Sequence, residues 1–165
     1  LDWMKDITTT SLVNRQGHVP DISEADLGNA EATSESAANV WVPNRNGLMA
    51  NVAAAFAEAM DCGYIIAGFN AEEAATFPDN SPEFVDSINR AFSYSTLNGV
   101  RLISPVLEMD KVAIVKEAVR VHAPLALSWS CYQGEEKPCG VCESCVRRAR
   151  AFREAGIKDP AVEDI

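Results

Sequence analysis

Cys131, Cys139, Cys142 and Cys145 stand in a C-x7-C-x2-C-x2-C pattern, and that spacing carries the strongest chemical signal in the chain. Closely spaced C-x-x-C pairs let thiolates converge on one ion, and Gly140 supplies the tight turn between the second and third cysteine. Four thiolates close a tetrahedral shell and leave no position for water, so the chemistry implied is structural zinc rather than hydrolysis. Two other readings compete. An iron–sulfur cluster accepts C-x2-C-x2-C, but a ferredoxin run continues into a further cysteine and proline, whereas Val146-Arg147-Arg148-Ala149 follows here. A redox dithiol needs one C-x-x-C and would leave two cysteines unexplained. The fifth cysteine, Cys62, falls between a helical pattern and an apolar run and reads as a small core filler. Clustering of this kind suits a reducing compartment, not a secreted disulfide scaffold.

Three polar loops could also do chemistry. Val42-Pro43-Asn44-Arg45-Asn46 precedes an alanine-rich helix, so Asn46 can cap that helix while Arg45 offers a guanidinium to an anion. Gly68-Phe69-Asn70-Ala71-Glu72-Glu73 puts an amide and two carboxylates after a strand, and Phe77-Pro78-Asp79-Asn80-Ser81 follows as a turn. Lys111 opens a helix, where a cation opposes the dipole, so it reads either as neutral surface or as a group awaiting an anion. Arg147, Arg148, Arg150 and Arg153 form the one dense basic run, read as a solvated helix face or a phosphate contact. His18 and His122 read as structural, and Trp3, Trp41 and Trp129 as core packing.

The elements that must position these residues follow from periodicity. Met49, Val52, Ala53, Phe56 and Met60 recur at helical spacing and predict a core-facing helix that stops at Gly63. Tyr64–Phe69 reads as a strand buried on both faces. Pro82 opens a second helix with Phe84, Val85, Ile88, Ala91, Phe92 and Ser95 on one face, ended by Asn98-Gly99. Val100–Ser104 reads as a second buried strand, and Asp110 caps a helix running through Val121. Asn14–Asn39 has no sustained period and reads as a long loop. Helix, strand, helix, strand, helix is the order of a parallel α/β sheet, whose ligands sit beyond the carboxyl ends of its strands. Two strands are few for such a sheet, so the pattern leads us to expect an N-terminal portion beyond this chain. The 165 residues carry 14 Lys and Arg against 24 Asp and Glu, a net charge of −10, with 47% hydrophobic residues. That composition excludes a disordered or fibrous chain and argues against broad nucleic-acid binding. No apolar run reaches the length of a membrane span, so we expect a cytoplasmic protein with no membrane partner.

Taken together these residues resemble the 7-cyano-7-deazaguanine synthases of the PP-loop ATPase superfamily, which act in queuosine biosynthesis. Val42-Pro43-Asn44-Arg45-Asn46 is similar to the family's Val-Pro-x-Arg-Asn, and Gly68-Phe69-Asn70-Ala71-Glu72 to its Gly-Val-Asn-Ala-Glu. Pro78-Asp79 and Pro82-Glu83-Phe84 match its Tyr-Pro-Asp-Cys-Arg-Pro-Glu-Phe. Pro105-Val106-Leu107 with Lys111 matches its Pro-Leu and helix-start lysine, and Ser130-Cys131-Tyr132 begins its four-cysteine segment.

The resemblance implies an adenine-nucleotide hydrolase-like, Rossmann-like parallel sheet over residues 1–128, N-terminally incomplete, and a zinc segment with a C-terminal helix over 129–165. It implies an ATP-dependent ligase that joins 7-carboxy-7-deazaguanine and ammonia into the nitrile through an acyl adenylate. ATP with Mg2+ is the co-substrate, and one structural zinc sits on Cys131, Cys139, Cys142 and Cys145; separately, an incomplete sheet exposes an edge and apolar faces, so a homodimer or a missing segment is expected. Arg45 and Lys111 are then the catalytic cations, and Asn46, Asn70, Glu72, Glu73 and Asp79 the substrate-binding residues. Two departures stand out. The family's Ser-Gly-Gly-x-Asp-Ser phosphate loop is not in this sequence, so these residues by themselves are expected to be inactive. Ala74-Ala75-Thr76-Phe77 and Asn80-Ser81 replace the family's usual substrate-loop residues, which opens the acceptor's identity. The alternatives are a PP-loop enzyme acting on tRNA itself, which the arginine run would serve, and a zinc-dependent, non-enzymatic binding module.

Overall fold

The computed structural model describes residues 2–13, 18–133 and 136–162. They fold as two units: residues 43–110 form one, and residues 1–42 with 111–165 form the other.

The contiguous unit holds α2 (Arg45–Ala59), β1 (Tyr64–Ile66), the single turn α3 (Ala71–Ala74), α4 (Pro82–Ser95) and β2 (Arg101–Ile103). The strands pair in parallel with Tyr64 opposite Arg101, Ile65 opposite Leu102 and Ile66 opposite Ile103. Arg101 donates to the Gly63 carbonyl and Ala67 to the Ile103 carbonyl, so the Leu102 amide and carbonyl face the other edge. Asn89 on α4 meets them there: its Nδ2 donates to the Leu102 carbonyl at 2.9 Å and its Oδ1 accepts from the Leu102 N–H at 2.7 Å. One side-chain amide thus takes the place of a third strand on that edge. Ala50, Ala54, Ala57, Val85, Phe92, Val100 and Leu102 make the core, with Ile65, Phe69 and Ile88 against it.

The helix predicted from Gly47 onward is present, but it turns the other way. Gly47, Ala50, Ala54 and Ala57 are its buried stripe, while Met49, Val52, Phe56 (65% exposed) and Met60 lie outside. Small side chains let the α2 backbone approach β1 and α4 closely, and the large residues occupy the opposite face. β1 is likewise not buried on both faces: Tyr64 and Ile66 (72% exposed) lie open and Ile65 alone points inward. Cys62 is exposed rather than a core filler.

The other unit holds α1 (Ala30–Val40), α5 (Lys111–Arg120) and α6 (Glu143–Ala155), with 3-10 turns at Asp2–Asp6, Glu24–Gly28 and Leu125–Leu127. Val115, Ala151 and Phe152 form its core between α5 and α6, with Val112, Leu125 and Ile157 packed on them. Residues 18–39 are not one loop. Asn29 accepts from the N–H groups of Glu31 and Ala32 and opens α1, whose buried face is Thr33, Ser36, Ala37 and Val40. That face has helical spacing but small, partly polar side chains, so hydropathy does not display it. Residues 14–17 of the expected loop lie outside the described residues. Trp3 and Trp129 are about half exposed rather than core. No described helix is long and apolar enough to cross a membrane.

Candidate functional site

The four clustered cysteines converge. Their sulfurs all lie within 4.8 Å of one another, and Cys139 Sγ is 3.9 Å from Cys145 Sγ. A tetrahedral zinc with Zn–S bonds of about 2.3 Å has sulfur–sulfur edges of about 3.8 Å, so the donor set fits such an ion in number, type and spacing. None of these cysteines is disulfide-bonded, and Cys131, Cys142 and Cys145 are buried.

Local structure explains the convergence. Gly140 adopts φ +78, which turns the chain so that the Cys142 N–H donates back to Cys139 Sγ at 3.3 Å. Cys142 then caps α6 and Cys145 falls in its first turn, where the helix dipole favours thiolates. Cys131 arrives from the preceding segment, and the Cys139 N–H donates to its sulfur at 3.4 Å. Burial works against ionising Cys131, but the N–H groups of Cys139 and Gln133 outweigh it and bring the thiol down to about 7. Burial pushes the Cys142 thiol up, and burial with the neighbouring Cys142 sulfur pushes Cys145 up. Four sulfurs within 4.8 Å of one another, three of them buried, are a poor apolar core and a good cation site.

A remote segment closes over this knuckle. Asp21 forms an antiparallel bridge with Cys142, and the Ile22 N–H donates to the Val141 carbonyl at 2.9 Å. Glu24, just beyond, pairs with Arg153 of α6. The arginine run is therefore not a solvated face. Arg147 is buried against Glu143 at 2.7 Å, and Arg148 makes a two-pronged pair with Asp159 at 2.5 and 2.7 Å. Sequence reasoning missed the Arg148–Asp159 pair, because a lone aspartate eleven residues away carries no pattern.

The polar loops of the contiguous unit gather at the carboxyl ends of β1 and β2. Ser104, just past β2, donates to the Phe69 carbonyl at 2.7 Å, and the Ala71 N–H donates to the Met109 carbonyl at 3.0 Å. Asn70 is buried, and its side chain accepts from the Glu73 N–H at 3.0 Å and donates to the Gly68 carbonyl. It starts α3 and so sets the directions of Glu72 and Glu73, both half-buried in that single turn. Asn46 does not cap α2. The helix begins at Arg45 after Asn44, which takes the left-handed φ of 53, and Asn46 Nδ2 donates to the Asp79 carbonyl at 3.3 Å. Arg45 is exposed at the start of α2, close enough for its charge to act on Asp79. Burial nevertheless raises the Asp79 carboxyl above its ordinary value, against the opposing pull of Arg45 and the Asn80 amide. Arg45, Asn46, Asn70, Glu72, Glu73 and Asp79 thus belong to one unit, while Lys111, the first residue of α5, belongs to the other.

Fold and site together define a mixed α/β protein with a parallel strand pair, polar loops at its carboxyl end and a four-cysteine centre suited to a metal ion such as zinc. The family model described as Queuosine biosynthesis protein QueC matches residues 1–156, and the chain belongs to that family. It is 58% identical to the 7-cyano-7-deazaguanine synthase of Methanosarcina barkeri over 99% of this chain and 72% of that protein. It is 57% identical to the Methanosarcina mazei protein of the same name, with the same coverage. Against the Pelotomaculum thermopropionicum synthase the identity is 51% over 96% of this chain and 72% of the relative.

Proposed function

We propose that the chain serves the ATP-dependent conversion of 7-carboxy-7-deazaguanine and ammonia to 7-cyano-7-deazaguanine. The observation that carries this reading is the 58% identity, over nearly the whole chain, to a protein named 7-cyano-7-deazaguanine synthase. In the proposed sequence ATP with Mg2+ activates the carboxylate as an acyl adenylate, and ammonia displaces AMP to give the amide. A second activation of the amide oxygen allows elimination to the nitrile. No side-chain nucleophile is needed, so the protein's part is to align the reactants and stabilise developing charge.

Arg45 is assigned to an anionic oxygen of substrate or phosphate, and its exposed position at a helix start supports that role. Lys111, at the start of α5, is assigned to phosphate. Glu72 or Glu73 accepts paired N–H donors of a guanine-like edge, a geometry that suits a carboxylate. Asn70 and Asn46 act one step back: the first orients α3, and the second ties the start of α2 to the turn carrying Asp79. Cys131, Cys139, Cys142 and Cys145 hold one zinc whose closed shell gives it a structural role. Residues 1–128 carry the nucleotide chemistry, residues 129–165 the metal segment, and the working assembly is a homodimer.

The test is a turnover assay of the whole gene product with the carboxylate, ATP, Mg2+ and 15N-ammonium, read by mass spectrometry. Labelled nitrile and AMP are expected, and Glu73→Ala should weaken binding of the carboxylate. Absence of acceptor-dependent AMP formation overturns the reaction, and unchanged affinity in Glu73→Ala overturns the assignment of that residue.

A further inference from the structure

Three of the four thiols belong to a single piece of structure, since Cys139, Cys142 and Cys145 lie on the turn and first residues of α6. Cys131 does not, and something must hold its segment against the helix. Arg148 sits one turn beyond Cys145 and reaches that segment. Its Nη1 donates to Ser128 Oγ at 2.9 Å, to Ser130 Oγ at 3.2 Å and to the Ser128 carbonyl at 3.4 Å. The remaining face of the guanidinium is spent on fixing itself. Nε and Nη2 grip the Asp159 carboxylate, and the plane lies over the Phe152 ring with its carbon 4.9 Å from the centroid. Both charged side chains are close to nine-tenths buried. A planar donor fork locked on one side and presented on the other is a ruler, and a lysine cannot copy it.

Resting on the metal reading above, we propose that Arg148, oriented by Asp159, is a positioning residue that sets Cys131 as the fourth metal ligand through Ser128 and Ser130. Groups behind a ligand commonly govern metal affinity by about ten- to a hundredfold, because they fix its direction before the ion arrives. The same register would keep the centre closed: with Cys131 displaced, three thiolates leave one position open to water.

The test uses cobalt in place of zinc, since thiolate-to-cobalt absorption reports how many sulfurs bind. Wild type, Arg148→Lys, the Ser128→Ala/Ser130→Ala double variant and Cys131→Ser are compared, with circular dichroism for folding and chelator competition for zinc affinity. The double variant leaves the Arg148–Asp159 pair intact, so a merely structural pair predicts no change in it. The proposal expects wild type to show four thiolates. Both clasp variants should move toward the Cys131→Ser spectrum, losing about a quarter of the intensity, with zinc bound about ten- to a hundredfold more weakly. If Arg148→Lys fails to fold, the double variant decides. Folded variants with the wild-type spectrum and affinity overturn the clasp while leaving the metal centre standing. A wild type without a four-thiolate spectrum overturns the metal reading and the clasp with it.

Discussion

Asn89 offers the sharpest test of how this fold is held. Leu102 is 2% exposed, and its N–H and C=O, turned away from β1, are both met by the Asn89 side chain. Asn89→Ala leaves both groups buried without their partner. Each orphaned main-chain group costs about 1–3 kcal/mol, and the slot left by the amide admits some water, so a loss of about 2–4 kcal/mol follows. In a chain of this size that lowers the melting midpoint by about 5–15 °C. Asn89→Asp separates hydrogen bonding from shape. It keeps the acceptor for the Leu102 N–H but sets a carboxylate oxygen against the Leu102 carbonyl. This variant should be as unstable as Asn89→Ala at neutral pH and recover in acid, where the protonated carboxyl can donate. All three tryptophans lie in the other unit, so their fluorescence does not report this one. The assay is urea unfolding by circular dichroism, with hydrogen exchange of the peptide spanning Arg101–Leu107. A loss below about 0.5 kcal/mol in Asn89→Ala, or a wild-type curve for Asn89→Asp at neutral pH, would refute the argument, because the edge would then be satisfied by solvent.

Three further outcomes are expected. Chelation should remove a contribution of about 10 kcal/mol or more, comparable to the whole stability of a domain, and hydrogen exchange should show loss of protection at Ile22 and Val146 together; protection at Ile22 that survives chelation contradicts this. Burial raises the Asp79 carboxyl, so the folded state binds that proton more tightly than the unfolded one and the ionised group costs stability at neutral pH. Asp79→Asn should therefore melt higher than wild type at pH 7 while turnover drops about tenfold or more, a combination that calorimetry and the nitrile assay read directly. Asp159 behaves oppositely: burial alone would raise it, but the Arg148 guanidinium outweighs that and lowers it. Its contribution is complete above the ordinary aspartate range and is lost as pH falls through the depressed folded value. Asp159→Asn should cost about 3 kcal/mol at pH 7 and almost nothing in strong acid, seen as converging urea midpoints.

The sequence displayed what depends on spacing. The thiol pattern, the helix opened by Pro82 and the parallel strand pair all rest on short-range regularities, and each is present where the spacing put it. It hid what depends on size and on distant partners. The apolar residues of α2 mark a helix correctly, but the buried stripe is the glycine and alanines, because close approach selects small side chains over hydrophobic ones. α1 escaped notice because Thr33 and Ser36 look polar although both are buried; the Thr33 hydroxyl donates to the Asn29 carbonyl at 3.0 Å. Asn46 reads as a cap from its neighbours alone, and only the arrival of Asp79 across the unit shows its use. The arginines of α6 look like a basic face until Glu143, Asp159 and Glu24 are brought beside them.

Asp21 leaves the ribosome more than a hundred residues before Cys142, the partner of its bridge. The contiguous unit, with its strand pair and its own core, is synthesised wholly within that interval and has everything it needs to close. The segment around Ile22 must meanwhile wait, because the Val141 carbonyl it donates to and the four clustered thiols lie more than a hundred residues further along, at the start of α6 and in the segment before it. The bridge therefore forms only after the four-cysteine segment has been made, and a metal bound there, as proposed above, would be captured later than the contiguous unit is synthesised. Nascent chains arrested before Cys139 should leave Ile22 open to exchange even in zinc-replete lysate.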